Sequence, residues 1–228
     1  MSGYLKRFSV PGIWHVMKKE NKYAVRPSPG PHSFETSVPL SAAIRMLGYA
    51  NTMHEVKKLL QTKPVLVDGR RIKDQKMPIG VMDVLSFSSL NENYRILRDH
   101  QGRALIIPIS ASEASRKIGK IVMITAVKGK KLQINLQDGR NILVDKKPAS
   151  CGDSIVLSVP KQKIESVIVF EKGSSVYLFK GKYVGDIGKV VEIENDSFVY
   201  EKGGKKFRTL KDYAIVVGKE APVIKLSA

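Results

Sequence analysis

The feature that most constrains the fold is a long succession of short apolar runs in the middle of the chain. From about residue 104 to residue 170, runs rich in Ile, Val and Leu alternate with turn residues, as at 120–125 and 141–144. Short runs of β-branched residues separated by Gly, Asp and Asn predict short strands. Because such strands close into a small barrel or sandwich, we predict a central β-barrel-like domain over residues 101–177.

Positive charges mark the predicted loop tips of this central domain. Asp138-Gly139 is typical of a tight hairpin turn, and a short helix is predicted near residues 112–117. Loop tips are where a small barrel meets its ligand, so cations there are candidate contacts to an anionic partner. The candidates in this domain are Lys128, Lys130, Lys131 and Arg140.

Two helical patterns and a hairpin precede the central domain, over residues 38–100. Pro39 suits the first turn of a helix that stops at Gly48, and Thr52 followed by Glu55 is a capping-box signature for the second. Asp68-Gly69 between two extended runs then predicts a tight turn. The second helix and the hairpin place six cations where one surface can present several of them. They are Lys57, Lys58, Arg70, Arg71, Lys73 and Lys76.

The first 37 residues have no sustained helical or strand period, and three prolines fall close together in residues 26–32. We predict an extended basic arm, disordered in the free protein and ordered on a phosphate backbone. Trp14 either packs onto the neighbouring domain or stacks on a base, and His32 suits a hydrogen-bonded loop position. The candidate RNA contacts of the arm are Lys6, Arg7, Trp14, Lys18, Lys19, Arg26 and His32.

A third module follows over residues 178–228. Three glycines, at 181, 185 and 188, precede an alternating strand, which allows sharp bends before it. This pattern resembles the KOW motif, a small SH3-like barrel found in ribosomal proteins and transcription elongation factors. A nucleotide-phosphate loop is the rival interpretation, but the Gly-Lys-Ser/Thr element and the following helix are missing. The candidate RNA contacts of this module are Lys180, Lys182 and Lys189.

The charge balance points to a polyanionic partner. The formal net charge is +18, and cations outnumber acidic residues in each of these segments. Nucleic acid is favoured over an anionic membrane, because the chain has no long basic amphipathic helix. Cys151 is the only cysteine, and neither a signal peptide nor a long apolar run is present, so a cytoplasmic protein is expected. The histidines are dispersed, and we predict no catalytic residue, metal or cofactor.

Two further resemblances cover most of the chain. The helix-helix-hairpin arrangement with residues 67–70 at its turn resembles the S4 RNA-binding domain. In order, all the modules resemble the S4e family of small ribosomal subunit proteins, in its shorter archaeal form. The strings that carry this resemblance are residues 5–7 with Pro11 and Trp14, then 26–32, 67–70, 78–84, 138–142, 185–188 and 209–213. Residues 115–119 depart from the pattern of many members.

The resemblance implies an α+β, multi-domain structural constituent of the small ribosomal subunit that supports translation. Its implied partners are small-subunit ribosomal RNA and neighbouring ribosomal proteins, with no membrane and no small-molecule substrate. It also implies a protein that is not an enzyme and that resides in the cytoplasmic ribosome. The alternative is a transcription elongation or RNA-modifying accessory protein with S4-like and KOW modules.

Overall fold

A computed structural model describes residues 5–14, 16, 22–129, 131–145 and 149–226. The chain divides into two compact units, the first ending at Ala114 and the second beginning at Ser115. Within the described residues there are three antiparallel five-stranded sheets and three short α-helices. This architecture confirms the α+β, multi-domain class. No helix in the described part of the chain is both long enough and apolar enough to cross a bilayer.

The first unit is built on a sheet with strand order β5-β4-β7-β8-β9, and two strand pairs, β1-β2 and β3-β6, accompany it. Its elements are β1 (Leu5–Lys6), a 3-10 turn (Arg7–Ser9), β2 (Tyr23–Ala24), β3 (Val38–Pro39), α1 (Leu40–Met46), α2 (Met53–Thr62), β4 (Val65–Val67), β5 (Arg70–Arg71), β6 (Pro78–Ile79), β7 (Val84–Phe87), β8 (Glu92–Arg98), β9 (Ala104–Ile109) and α3 (Ala111–Ala114).

Both helices predicted over residues 38–100 form, and α2 has the predicted cap. The Thr52 hydroxyl accepts a hydrogen bond from the Glu55 backbone N–H, and the Glu55 side chain accepts one from the Thr52 N–H. These reciprocal bonds satisfy two donors that a helix start leaves unpaired. Val56 and Leu60 are buried on α2, so its apolar face lies on the core and its lysines point outward.

The predicted hairpin between β4 and β5 is also confirmed. Asp68 and Gly69 both have positive φ, 49° and 73°, as a tight two-residue turn requires. The buried Asp68 carboxylate accepts a hydrogen bond from the Val84 N–H at 2.9 Å. Aspartate at this position therefore attaches the turn to β7 as well as tolerating its backbone conformation.

Residues 104–109 were expected to belong to the central domain over residues 101–177. They form β9 instead, which pairs with β8 of the first unit. Only a short turn separates the two strands, and within it the Asp99 N–H donates to the Arg103 carbonyl at 2.9 Å. A local hairpin is the entropically least costly pairing for this segment. Strand β8 was not predicted, since the charged Arg95 interrupts its apolar pattern although it is fully buried.

The second unit contains two sheets, with strand orders β12-β11-β10-β13-β14 and β18-β17-β16-β15-β19. Its elements are β10 (Arg116–Val127), β11 (Lys131–Leu136), β12 (Asn141–Val144), β13 (Ser154–Ser158), β14 (Lys163–Ile168), β15 (Ser175–Leu178), β16 (Ile187–Ile193), β17 (Ser197–Lys202), β18 (Lys205–Leu210), a 3-10 turn (Lys211–Tyr213) and β19 (Ala214–Gly218). Strand β10 begins at Arg116, where the sequence predicts the end of a short helix.

The two sheets of the second unit pack on each other within that unit. The Ser154 hydroxyl of β13 accepts a hydrogen bond from the Val216 N–H of β19 at 3.0 Å. The rings of Phe170 and Phe198 meet in a T-shaped contact with 5.1 Å between centroids. Gly188 lies on β16 where a Cβ would come within 3.0 Å of the Glu201 carbonyl oxygen, which explains the third glycine of the motif.

Candidate nucleic-acid interface

Six exposed cations of the first unit form what we call the hairpin surface. They are Lys57, Lys58, Arg70, Arg71, Lys73 and Lys76. Lys57 and Lys58 lie on the outward side of α2, while Arg70 and Arg71 lie on β5, an edge strand of the sheet. The Arg71 guanidinium donates to the Gln61 carbonyl near the end of α2 at 3.5 Å. The helix and the hairpin therefore present their cations from adjoining elements.

The arm is attached to the loop that carries Lys73 and Lys76. The Asp74 carboxylate accepts hydrogen bonds from the Lys76 N–H at 2.8 Å and from the Ser28 hydroxyl at 3.1 Å. The Ser28 N–H also donates to the Lys76 carbonyl at 2.9 Å. These bonds hold Arg26, which is exposed, and Lys76 at one cavity.

The side chains of three arm residues that the sequence predicts as RNA contacts are largely enclosed by the first unit. Trp14 is only 6% exposed, and its indole N–H donates to the Ser37 carbonyl at 2.6 Å. The His32 ring forms a 2.8 Å hydrogen bond with the buried Asp83 carboxylate. Arg7 is likewise only 6% exposed. These side chains contribute to the packing of the first unit. Buried polar groups are stable when they form hydrogen bonds, as the Trp14 indole and the His32 ring do.

Lys6 lies on β1 and is exposed, and its contact to RNA stays a prediction. Strand β1 pairs with β2, so this part of the arm is fixed to a later part of the same segment. Lys18, Lys19 and Lys130 lie outside the described residues, so the structure gives no placement for these three predicted contacts.

In the second unit, the predicted cations divide into exposed and enclosed groups. Lys128 and Lys131 are exposed at the turn between β10 and β11. Arg140 differs from them, since its side chain is 15% exposed and its Nε lies 3.0 Å from an Asp138 carboxylate oxygen. This ion pair stabilises the β11–β12 turn, so the Arg140 guanidinium is less available to a ligand than the exposed Lys128 and Lys131.

The third group of predicted cations lies around the glycine-rich segment, and all three are exposed. They are Lys180, Lys182 and Lys189. Lys180 and Lys182 each hold their ammonium group 5.6 Å from the ring centroid of a neighbouring aromatic residue, Phe179 and Tyr183 respectively. Such a contact restricts a lysine side chain without neutralising its charge, so the side chain loses less entropy when a phosphate binds.

The lysines at the tip of the β17–β18 hairpin are not among the contacts predicted from the sequence. The turn of this hairpin is Gly203-Gly204, and the exposed Lys205 and Lys206 follow directly. Lys202 precedes the turn, and its ammonium group lies 2.6 Å from the Asp186 carboxylate. A Gly-Gly pair between two strands with lysines on both sides is the signal that predicts such a tip.

Lys120 shows that not every cation of the second unit belongs to the interface. Its side chain is 6% exposed, and its ammonium group donates to the Lys211 carbonyl at 2.7 Å. Burial lowers its pKa to about 8, because a charged amine is poorly solvated there, and nearby Asp212 opposes this effect only in part. Lys120 therefore has a structural role.

The exposed cations have the chemistry that phosphate binding requires. They are long, mostly solvated side chains. They lie on α2 of the first unit and on strands and turns of both units. Such groups displace condensed counterions from a nucleic acid and give affinity that falls with salt. They position the protein on a backbone and carry little base-sequence information.

Three protein-family models match the chain. The model of ribosomal family S4e matches residues 90–164, the RS4NT domain matches residues 2–35, and the S4 domain matches residues 38–85. The S4 match covers α1, α2 and the β4–β5 hairpin, which carry the hairpin surface.

Named relatives match over nearly the whole chain. The small ribosomal subunit protein eS4 of Methanocaldococcus jannaschii is 42% identical over 98% of this chain and 97% of its own length. The protein of the same name from Methanothermobacter thermautotrophicus is 42% identical over 98% of this chain and 95% of its own length. The crystal structure of the 30S ribosomal protein S4e from Thermoplasma acidophilum, 28% identical, aligns with a TM-score of 0.71 over 81% of this chain and 96% of that chain.

Proposed function

The chain belongs to the ribosomal S4e family, and we propose that it is a structural constituent of the small ribosomal subunit that binds ribosomal RNA through exposed lysine and arginine side chains. The observation that carries this function is the 42% identity to a small ribosomal subunit protein over almost the full length of both chains. Members of this family are structural proteins of the cytoplasmic ribosome, not enzymes. The transcription-factor and RNA-modifying alternatives have no support in these similarities.

The exposed cations support a binding mode in which shape and charge, rather than base reading, select the RNA. The hairpin surface offers short, rigid elements that suit a helical groove or its flanking phosphates. Lys128 and Lys131 offer a second group, and Lys180, Lys182 and Lys189 a third. Lys205 and Lys206 at the tip of the β17–β18 hairpin join this set. Neighbouring small-subunit proteins are further proposed partners.

The finer domain organisation is also a proposal. We propose a basic arm over residues 1–37, an S4-like domain over 38–100, a central β-barrel-like domain over 101–177 and a KOW-type SH3-like barrel over 178–228. The pairing of β8 with β9 favours extending the S4-like part to Ile109. Strand β15 similarly favours starting the last module at Ser175.

The hairpin surface is tested by charge reversal. We expect Arg70→Glu, Arg71→Glu and Lys73→Glu together to weaken binding to small-subunit ribosomal RNA and to lower the slope of log affinity against log salt by roughly 3. Fluorescence anisotropy over a salt series measures both quantities. Lys161→Glu, Lys163→Glu and Lys172→Glu form the control, since these exposed residues of the second unit give the same change in net charge. An unchanged slope in the first variant would remove the hairpin surface from the interface.

Sedimentation tests the assignment to the ribosome. A cell lysate is run on sucrose gradients at moderate and high salt, and the chain is followed by immunoblot. We expect it to travel with the small subunit and to stay there at high salt, because shape-fitted contacts outlast screened charges. Migration as a free protein, or with RNA polymerase, would contradict the assignment.

A further inference from the structure

A cavity of about 620 Å³ opens in the first unit between the arm and the loop before β6. Its lining includes two cations, Arg26 and Lys76, and one partly exposed aromatic ring, Phe34. No acidic side chain is among its lining residues in the described part of the chain. The cavity thus combines positive charge with an apolar ring surface, and its size is that of a small-ligand site.

The walls of the cavity are fixed before any ligand arrives. The prolines of residues 27–31 restrict the backbone of the arm, and the Ser28 N–H bond to the Lys76 carbonyl attaches that backbone to the loop. Gly30 lies so close to Pro78 that a Cβ at this position would come within 3.0 Å of the proline ring. Little ordering entropy therefore remains to be lost on binding.

Phe34 adds an aromatic surface to the cavity, which a site that binds only phosphate does not need. Phe34 is 38% exposed, although it lies next to the buried core of the unit. A T-shaped contact with Trp14, with 6.2 Å between centroids, holds the ring in place. A fixed aromatic ring that stays partly open to solvent beside two cations is the arrangement with which proteins hold unpaired bases.

We propose that this cavity receives one unpaired nucleotide of ribosomal RNA, with its base against Phe34 and an adjacent phosphate at Arg26 and Lys76. This proposal rests on the proposed function and adds a defined single-stranded contact to it. The ring surface favours a nucleotide over inorganic phosphate, which would use only the cations. The positive lining and the absence of acids in it favour a nucleotide over a basic peptide.

Two variants test the base contact at Phe34 and the phosphate contact at Lys76 separately. Phe34→Leu keeps an apolar side chain but removes the stacking surface, so we expect RNA affinity to fall roughly 5- to 100-fold with an unchanged salt slope. Lys76→Gln removes one phosphate partner, so we expect the salt slope to fall by about 1. Phe8→Leu and Lys172→Gln are the matched controls, because both residues are exposed and neither lines the cavity.

Crosslinking gives the direct readout. The complex of the full chain with small-subunit ribosomal RNA is irradiated with ultraviolet light and digested, and nucleotide adducts are located by mass spectrometry. We expect an adduct on the peptide that contains Phe34. Tight RNA binding by both Phe34→Leu and Lys76→Gln, with no adduct there, would overturn the cavity proposal and leave the proposed function intact. Failure of the unaltered chain to bind this RNA would overturn both.

Discussion

Lys117 Nζ lies 2.7 Å from an Asp138 carboxylate oxygen, and less than a tenth of either side chain is exposed. Arg140 Nε approaches the same oxygen at 3.0 Å. One carboxylate thus forms ion pairs with two cations, where water screens the attraction poorly. Because Lys117 is on β10 and Asp138 follows β11, this cluster fixes the turn between β11 and β12 to the long central strand.

Removing Asp138 should therefore be far more damaging than removing a surface acid. Asp138→Ala leaves Lys117 and Arg140 without their shared carboxylate, and we expect the free energy of unfolding to fall by about 3–5 kcal/mol. Glu165→Ala is the control, since its ion pair with Arg116 at 3.0 Å is substantially exposed and should contribute at most about 1 kcal/mol. Urea denaturation measures both losses, and equal losses would contradict the special role of Asp138.

The single tryptophan reports directly on the arm. Since Trp14 is buried and bonded to the Ser37 carbonyl, we expect blue-shifted fluorescence and protection from acrylamide in the free protein. An arm that is disordered in the free protein, as the sequence predicts, would instead give a red-shifted, readily quenched signal that changes when RNA binds. Fluorescence with and without small-subunit ribosomal RNA decides between the two expectations.

The elements predicted well from the sequence are those specified by neighbouring residues. The capping box of α2 and the turn at Asp68-Gly69 each depend on a few consecutive positions, and both are present. Burial of charged or aromatic residues was not predictable in the same way, because their partners are distant in sequence. His32 bonds to a residue 51 positions away, and Trp14 to one 23 positions away. No local pattern distinguishes such a side chain from an exposed one.

In the candidate site, too, the features set by neighbouring residues were predictable and those set by residues distant in sequence were not. The exposed cations of α2 were predictable, because the apolar spacing of the helix determines which side faces out. The cavity at Phe34 was not, since it forms where the arm meets a loop some forty residues later, through bonds such as that of Ser28 to Asp74. Buried cations such as Lys117 also look like surface residues in a sequence with a net charge of +18.

Gly80 shows how tightly His32 is held in the first unit. A Cβ at residue 80 would come within 3.0 Å of the His32 ring, and the Gly80 N–H itself donates to the Asp83 carboxylate at 2.9 Å. We expect Gly80→Ala to lower stability by about 1–3 kcal/mol, because the ring and its bond to Asp83 cannot both be kept. Gly12→Ala is the control, as a Cβ there meets nothing within 4 Å. Thermal unfolding measures the difference, and equal midpoints would show that the ring moves freely.

Lys120 gives the stability of the second unit a defined pH dependence. Its pKa is lowered from 10.5 to about 8 by burial, so between these values the unfolded state binds more protons than the folded state. The contribution of this group to the free energy of unfolding therefore rises as the pH increases through that window, by about 3 kcal/mol in all. Below pH 8 the contribution stays at its lowest value. Lys120→Met should remove this rise, whereas Lys172→Met, at an exposed position, controls for the loss of one charge. Titration of the Lys120 Cε signal by NMR checks the cause, and a midpoint above 10 would contradict it.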